Sequence, residues 1–175
     1  MTCIVAVAEK GQVWMGADSA ATDPRGTQVI RREPKVFKLG DAVVGVAGSF
    51  RAAQVIRYSA PPVEKHRDMH RYLCTEWIES LREAMGEAVA ESETETFEGA
   101  LLIGISGAVW QVEADYHVGR SVQTFDAVGS GAQVALGSLL STKGLEPDKR
   151  VKLALEAAEA FCASVRRPWR METTA

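Results

Sequence analysis

The sequence predicts an α+β fold, and three observations predict it. Short β-branched apolar runs fill residues 4–47 and return at 100–113 and 124–128. Between and after them the apolar period changes to the helical one, over 49–90 and again over 132–162. No internal repeat, linker or low-complexity tract divides the chain, so strands and helices segregate in blocks instead of alternating. With 175 residues, 46% hydrophobic and 25% charged, the chain suits one globular domain over 1–175 with a substantial core.

The elements follow in order. Ile4, Val5 and Val7 mix continuous and alternating apolarity, as expected of a strand covered on both faces. Gly11 makes a hairpin turn and Val13–Ala17 returns. Thr22-Asp23-Pro24-Arg25-Gly26-Thr27 is loop chemistry, Thr27–Ile30 a short strand, and Val36–Leu39 another. Gly40-Asp41 turns into Ala42–Ala47, the most apolar strand of this group. Ser49 is a helix N-cap, with Ala52, Ala53, Val55 and Ile56 on one face as far as Tyr58, and Pro61-Pro62 stops that helix.

A longer helix is predicted from Asp68 to Ala90, with Leu73, Trp77, Leu81 and Met85 at i, i+4 spacing. Tyr72, Trp77 and Met85 on it read as core in preference to a binding stripe. His66 and His70 have metal-ligand spacing but no third ligand nearby, so they read as a solvated pair. Glu91–Glu98 is an acidic connector expected to be a solvated loop. Strands resume at Ala100–Ile105, turn at Ser106-Gly107, and continue over Val109–Glu113 and Thr124–Val128. Gly129-Ser130-Gly131 breaks the last of these and opens a helix over Ala132–Leu140. Pro147 starts the final helix, whose broad face of small apolar residues suits close packing, and Val165–Met171 reads as a closing strand.

Composition narrows the function classes. A net charge of −3 implies no basic face for nucleic acid. No run reaches the length of a membrane span, and the start of the chain lacks a signal-peptide pattern. Cys3, Cys74 and Cys162 are too few and too scattered for a disulfide framework or a zinc cluster, so a reducing cytoplasm is the expected location.

The candidate chemistry lies at the beginning. Thr2 follows the initiator directly. A threonine hydroxyl attacks only when a base takes its proton. Removal of Met1 would give Thr2 its own base, because a free α-amine has a pKa of roughly 8. A nearby ammonium lowers that pKa further by like-charge repulsion; Lys35 is a candidate for it, and Asp18 for the carboxylate that holds Lys35. Each residue also has an ordinary reading: Thr2 as an unremarkable second residue, Asp18 as a turn residue, Lys35 as surface charge, Gly48 as backbone freedom, Ser130 as an N-cap. Cys3 is a weaker alternative nucleophile, requiring exposure and ionisation.

In their order and spacing these residues resemble the proteasome β-subunits and the peptidase half of the bacterial two-component ATP-dependent protease. The resemblance rests on Thr2-Cys3-Ile4-Val5 through Gly16-Ala17-Asp18, Lys35-Val36-Phe37-Lys38-Leu39, Ala47-Gly48 and Gly129-Ser130-Gly131, and it covers nearly the whole chain. It implies the four-layer αββα sandwich of N-terminal-nucleophile hydrolases and a single proteasome-like peptidase domain. It also implies threonine endopeptidase activity on polypeptides: Thr2 as nucleophile, Lys35 keeping the amine neutral, Asp18 positioning Lys35, Gly48 meeting the oxyanion and Ser130 assisting proton transfer. No metal or organic cofactor is needed. Activity inside stacked homo-oligomeric rings is implied, with an ATP-dependent unfoldase as a candidate partner and no nucleic acid or membrane partner.

The chain departs from the family pattern twice. The late aspartate that precedes a Ser-Gly-Gly is missing, the segment reading Glu159-Ala160-Phe161-Cys162-Ala163-Ser164, and Gly48 is followed by Ser49-Phe50 where the bacterial relative has a second glycine. The competing readings are a non-catalytic ring or scaffold subunit, a small-substrate amidase on the same fold, and a plain binding module that would tolerate Thr2→Ala.

Overall fold

The computed structural model describes residues 2–23, 25–88 and 99–174. The fold is α+β. Strands β1 (Ile4–Glu9) and β2 (Gln12–Ala17) form a hairpin around Lys10-Gly11. They sit centrally in a four-stranded sheet ordered β10-β1-β2-β11, where β10 is Phe125–Val128 and β11 is Arg170–Thr173. A five-stranded antiparallel sheet runs β5-β6-β7-β8-β9: Val36–Leu39, Ala42–Gly48, Gly99–Ile105, Ala108–Val112 and Val118–Gly119. A small ribbon pairs β3 (Ala20–Thr22) with β4 (Gln28–Ile30).

Among the described residues the α-helices are α1 (Phe50–Tyr58), α2 (Met69–Tyr72), α3 (Ile78–Ala88), α4 (Ala132–Ser141) and α5 (Pro147–Phe161). Ser49 caps α1 by accepting from the Ala52 N–H, and Pro147 occupies the first turn of α5, where a missing N–H costs nothing. No described helix is long and apolar enough to cross a membrane.

The two faces of β1 account for its uninterrupted apolar sequence. Ile4, Ala6 and Ala8 cluster with Val43, Leu102 and Val109 of the five-stranded sheet. Val5 and Val7 point the other way, into a cluster with Leu139 of α4 and Val151, Ala154 and Leu155 of α5. A third cluster joins the outer face of the five-stranded sheet to α1–α3, with Trp77, Leu81 and Met85 buried in it. Trp77 also satisfies its indole N–H on the Pro61 carbonyl (3.1 Å), so core packing accounts for it.

Several boundaries differ from expectation. The long predicted helix begins at Met69 behind an Asp68 cap and passes through a π-helical turn at Leu73–Trp77 before α3. Its last predicted residues, 89–90, and the acidic connector 91–98 lie outside the described residues. β3 falls partly in a stretch read as loop, and β9 was not anticipated; both are short and gain their order from a paired neighbour. The closing strand starts at Arg170, not Val165, because residues before it turn to meet Asp18 and Ser19.

Candidate active site

Antiparallel pairing of Ile4 with Ala17 places the residues before β1 beside the residue after β2. Thr2, Cys3 and Asp18 therefore meet. The Cys3 N–H donates to Asp18 Oδ1 (3.0 Å) and the Asp18 N–H to the Cys3 carbonyl (3.3 Å). Lys35 precedes β5, its carbonyl accepting from the Val46 N–H, and its Nζ lies 2.8 Å from the same Asp18 Oδ1. Asp18 Oδ2 accepts from the N–H groups of Ala20 (2.9 Å) and Arg166 (3.4 Å). Asp18 is fully buried and Lys35 nearly so, so this is an ion pair withdrawn from water, each carboxylate oxygen holding two donors. Burial pushes the Lys35 amine below its ordinary value, while the charge and hydrogen bond of Asp18 pull it back.

Ser130 arrives from the other side. β10 pairs with β1, Val128 opposite Ile4, so the Gly129–Gly131 turn crosses the Thr2 backbone. Gly129 has φ +95°, and a Cβ there would collide with the Thr2 carbonyl oxygen and sit 2.8 Å from its carbon. The Gly131 N–H donates to the Thr2 carbonyl (3.2 Å). Ser130 does not cap α4, whose N-cap is Gly131. Instead Ser130 Oγ accepts from the Thr2 nitrogen and donates to the Thr2 carbonyl, both at 3.2 Å.

Ser164 stands 3.0 Å from Ser130 Oγ and is buried. Since Ser130 spends its one proton on Thr2, the consistent chain has Ser164 donating to Ser130. Sequence reasoning missed Ser164; the one available signal was the late serine of the family pattern, which here is followed by Val165-Arg166 and not by two glycines.

Thr2 lines a cleft of about 480 Å³ together with Lys35, Val46, Gly48, Phe50 and Tyr58. Gly48 ends β6 opposite Gly99 with φ +128°, a conformation that side-chain-bearing residues rarely adopt. The structure thus brings all five predicted site residues, Thr2, Asp18, Lys35, Gly48 and Ser130, to one end of the β1–β2 hairpin. Cys3 is fully buried, and burial followed by the Asp18 charge pushes its thiol up to about 12, which opposes a thiolate. Away from the site, the His66 ring stacks on Tyr72 (4.5 Å between centroids) and His70 faces Cys74. Among the described residues no group of three His, Cys, Asp or Glu side chains could hold a metal ion.

No family model and no curated protein matches the chain. Solved structures do. BPH from Thiobacillus denitrificans, solved in complex with epoxomicin, is 21% identical over 98% of this chain and 97% of its own, with a TM-score of 0.82. HslV from Trypanosoma brucei is 18% identical over 98% of both chains, TM-score 0.72. Anbu from Yersinia bercovieri is 14% identical over 99% of this chain and 81% of its own, TM-score 0.72. All three have proteasome-type β-subunit folds, and this chain has that fold.

Proposed function

We propose that this protein is a threonine endopeptidase of the N-terminal-nucleophile type, one peptidase domain acting on polypeptides within a homo-oligomeric assembly of stacked rings. The observation that carries the reading is the buried Lys35–Asp18 pair, fastened through Asp18 to the peptide N–H that follows Thr2. A charge pair so costly to desolvate is explained by the chemistry it serves next to a nucleophile. The three apolar clusters support the αββα layer order.

In this mechanism, loss of Met1 turns the Thr2 nitrogen into an amine held beside Ser130 Oγ. The amine takes the Thr2 hydroxyl proton while Thr2 Oγ1 bonds to the scissile carbonyl carbon. The Gly48 N–H meets the oxyanion, a donor of a kind that contributes about 3 kcal/mol to transition-state stabilisation. The C–N bond then breaks, the leaving amine takes the proton from the Thr2 ammonium, and water hydrolyses the resulting ester by the same base. Lys35 keeps the amine neutral by like-charge repulsion, Asp18 positions Lys35, and Ser130, supported by Ser164, relays the proton. The exposed apolar side chains Phe161, Val122 and Leu140 are surface that subunit neighbours in a ring would cover. The free cysteines fit a cytoplasmic location, and an ATP-dependent unfoldase is the partner we would seek.

The test is intact mass together with turnover. The active wild-type protein should lack Met1 and take up one equivalent of a peptide epoxyketone on Thr2. Thr2→Ala should abolish peptide hydrolysis with assembly unchanged. Unchanged turnover in Thr2→Ala, or full activity with Met1 retained, would falsify the assignment.

A further inference from the structure

The cleft that holds Thr2 contains one cation that its walls leave unanswered. Phe50, Ala53, Gln54 and Arg57 form a single stripe of α1, at i, i+3, i+4 and i+7 spacing, and line the cleft. Ala52, Val55 and Ile56 on the other face of α1 enter the core. Val46 of β6 lines the cleft as well, so the walls offer apolar surface close to Thr2. The charged side chains in the lining are Arg31, Glu33, Lys35 and Arg57. Lys35 is answered by Asp18, while Arg31 and Glu33 are exposed, where water and salt screen them.

Arg57 differs from these. It is half-buried, and its guanidinium lies over two rings, 5.6 Å from the centroid of Phe37 and 5.2 Å from that of Tyr58. Phe37 is part of the core, so the cation is held against fixed structure. The rings attract it and fix its position, but they leave its N–H fork without an oxygen acceptor. Arg57 joins no ion pair among the described residues. Its place in the last turn of α1 suits a cation because of the helix dipole, yet a solvated lysine would serve that purpose equally.

Resting on the peptidase reading above, we infer that Arg57 is a specificity-determining residue that selects peptides with glutamate immediately before the cleaved bond. α1 begins two residues after Gly48, the donor assigned to the oxyanion, so the side chain next to that carbonyl is the one that enters along the α1 stripe. The Val46 N–H donates to the Lys35 carbonyl, and Phe37 pairs with Val44. The ring under Arg57 therefore lies two residues, roughly 7 Å, beyond Lys35 along β5. A long side chain spans that depth, which favours glutamate over aspartate. Its methylenes would pack on Val46 and Ala53, and its carboxylate would meet the guanidinium fork, whose planar donors match it. A lysine or arginine there would bring a like charge to Arg57. Glu33 favours such residues, but from an exposed position where screening is stronger.

The test gives the full-length protein fluorogenic peptides that differ only at the residue before the cleaved bond: glutamate, glutamine, leucine or lysine. The kcat/KM for glutamate should exceed that for glutamine, its uncharged isostere, by at least about tenfold, the size of one charged hydrogen bond. Lysine should be the poorest of the set. Arg57→Met and Arg57→Gln, checked for folding by circular dichroism, should bring the glutamate-to-glutamine ratio to about one, and Arg57→Glu should turn the preference to lysine. Uptake of a peptide epoxyketone on Thr2 is followed in parallel. Thr2 labelling with no preference for glutamate, a wild-type preference for lysine, or an undiminished ratio in Arg57→Met and Arg57→Gln overturns the specificity and leaves the peptidase reading standing. No cleavage of any peptide together with no Thr2 labelling overturns the peptidase reading, and the specificity falls with it.

Discussion

The β1–β2 hairpin has a lysine–carboxylate pair near each end, and the two pairs are physical opposites. At the turn, Lys10 and Glu9 stand 3.8 Å apart with 73% and 37% of their side chains exposed. At the open end, Lys35 and Asp18 are 2.8 Å apart with 6% and 0% exposed. The first pair is screened by water and contributes about 0–1 kcal/mol. The second has lost its hydration, a penalty that attraction in the interior barely offsets, so two well-packed apolar residues would hold the fold as well. Stability therefore does not account for Lys35 and Asp18; the proposed chemistry, which needs a charge kept beside Thr2, would.

The sharpest way to break this comparison is to delete one cation at each end. Lys35→Met leaves Asp18 buried and uncompensated and should cost about 3–5 kcal/mol in urea unfolding, whereas Lys10→Met should change stability by less than about 1 kcal/mol. The Asp18→Asn/Lys35→Met double variant should recover much of the stability while remaining inactive. Equal losses for the two lysine variants, or an active double variant, would remove the distinction.

The same contrast explains what could be read from sequence. β1, β2 and β6 were legible because an apolar run covered on both faces has few other outcomes, as Ile4 and Val5 show by entering different clusters. Thr2, Asp18, Lys35, Gly48 and Ser130 were legible only as a set; alone, each residue type fits a turn, a cap or a surface. What Ser130 does with its hydroxyl was legible only through the resemblance, because local sequence offers it an N-cap while tertiary structure offers the Thr2 backbone. Ser164 was hidden, because nothing in its local sequence links it to Ser130, the partner it meets 34 residues away. β4 was legible as the short strand read over Thr27–Ile30, whereas β3 and β9 carry too few apolar residues to signal a strand before a neighbour pairs with them.

Glycines sharpen the comparison at smaller magnitude. Gly11 at the turn and Gly129 at the site both have positive φ, +78° and +95°. An added Cβ at Gly11 meets nothing within 4 Å, while at Gly129 it meets the Thr2 carbonyl. Gly11→Ala should therefore cost only the left-handed backbone, about 1 kcal/mol. Gly129→Ala should cost about 2–3 kcal/mol and remove most peptidase activity at temperatures where the variant stays folded. Matching stability and activity in the two variants would show that the Gly129 approach does not position Thr2.

The smallest effect is read against pH, at the residue next to Thr2. Cys3 has its thiol pushed up to about 12 from an ordinary value of 9.0, first by burial and then by the Asp18 charge. Between those values the unfolded chain has released its proton while the native chain keeps it, so the native state binds more protons. Stability from this source is whole below pH 9 and is lost as pH rises toward 12, at about 1.4 kcal/mol per pH unit. Cys74 is half-buried, and burial followed by the Asp68 charge pushes its thiol up as well. Unfolding measured from pH 8 to pH 10 should fall less steeply in Cys3→Ala than in the wild type, and Cys74→Ala should flatten the slope in the same direction. A thiol reagent at pH 8 should modify Cys74 in the native protein and leave Cys3 untouched. Rapid labelling of Cys3 would mean that the buried end of the hairpin opens to water, and the contrast between its two ends would then be one of degree.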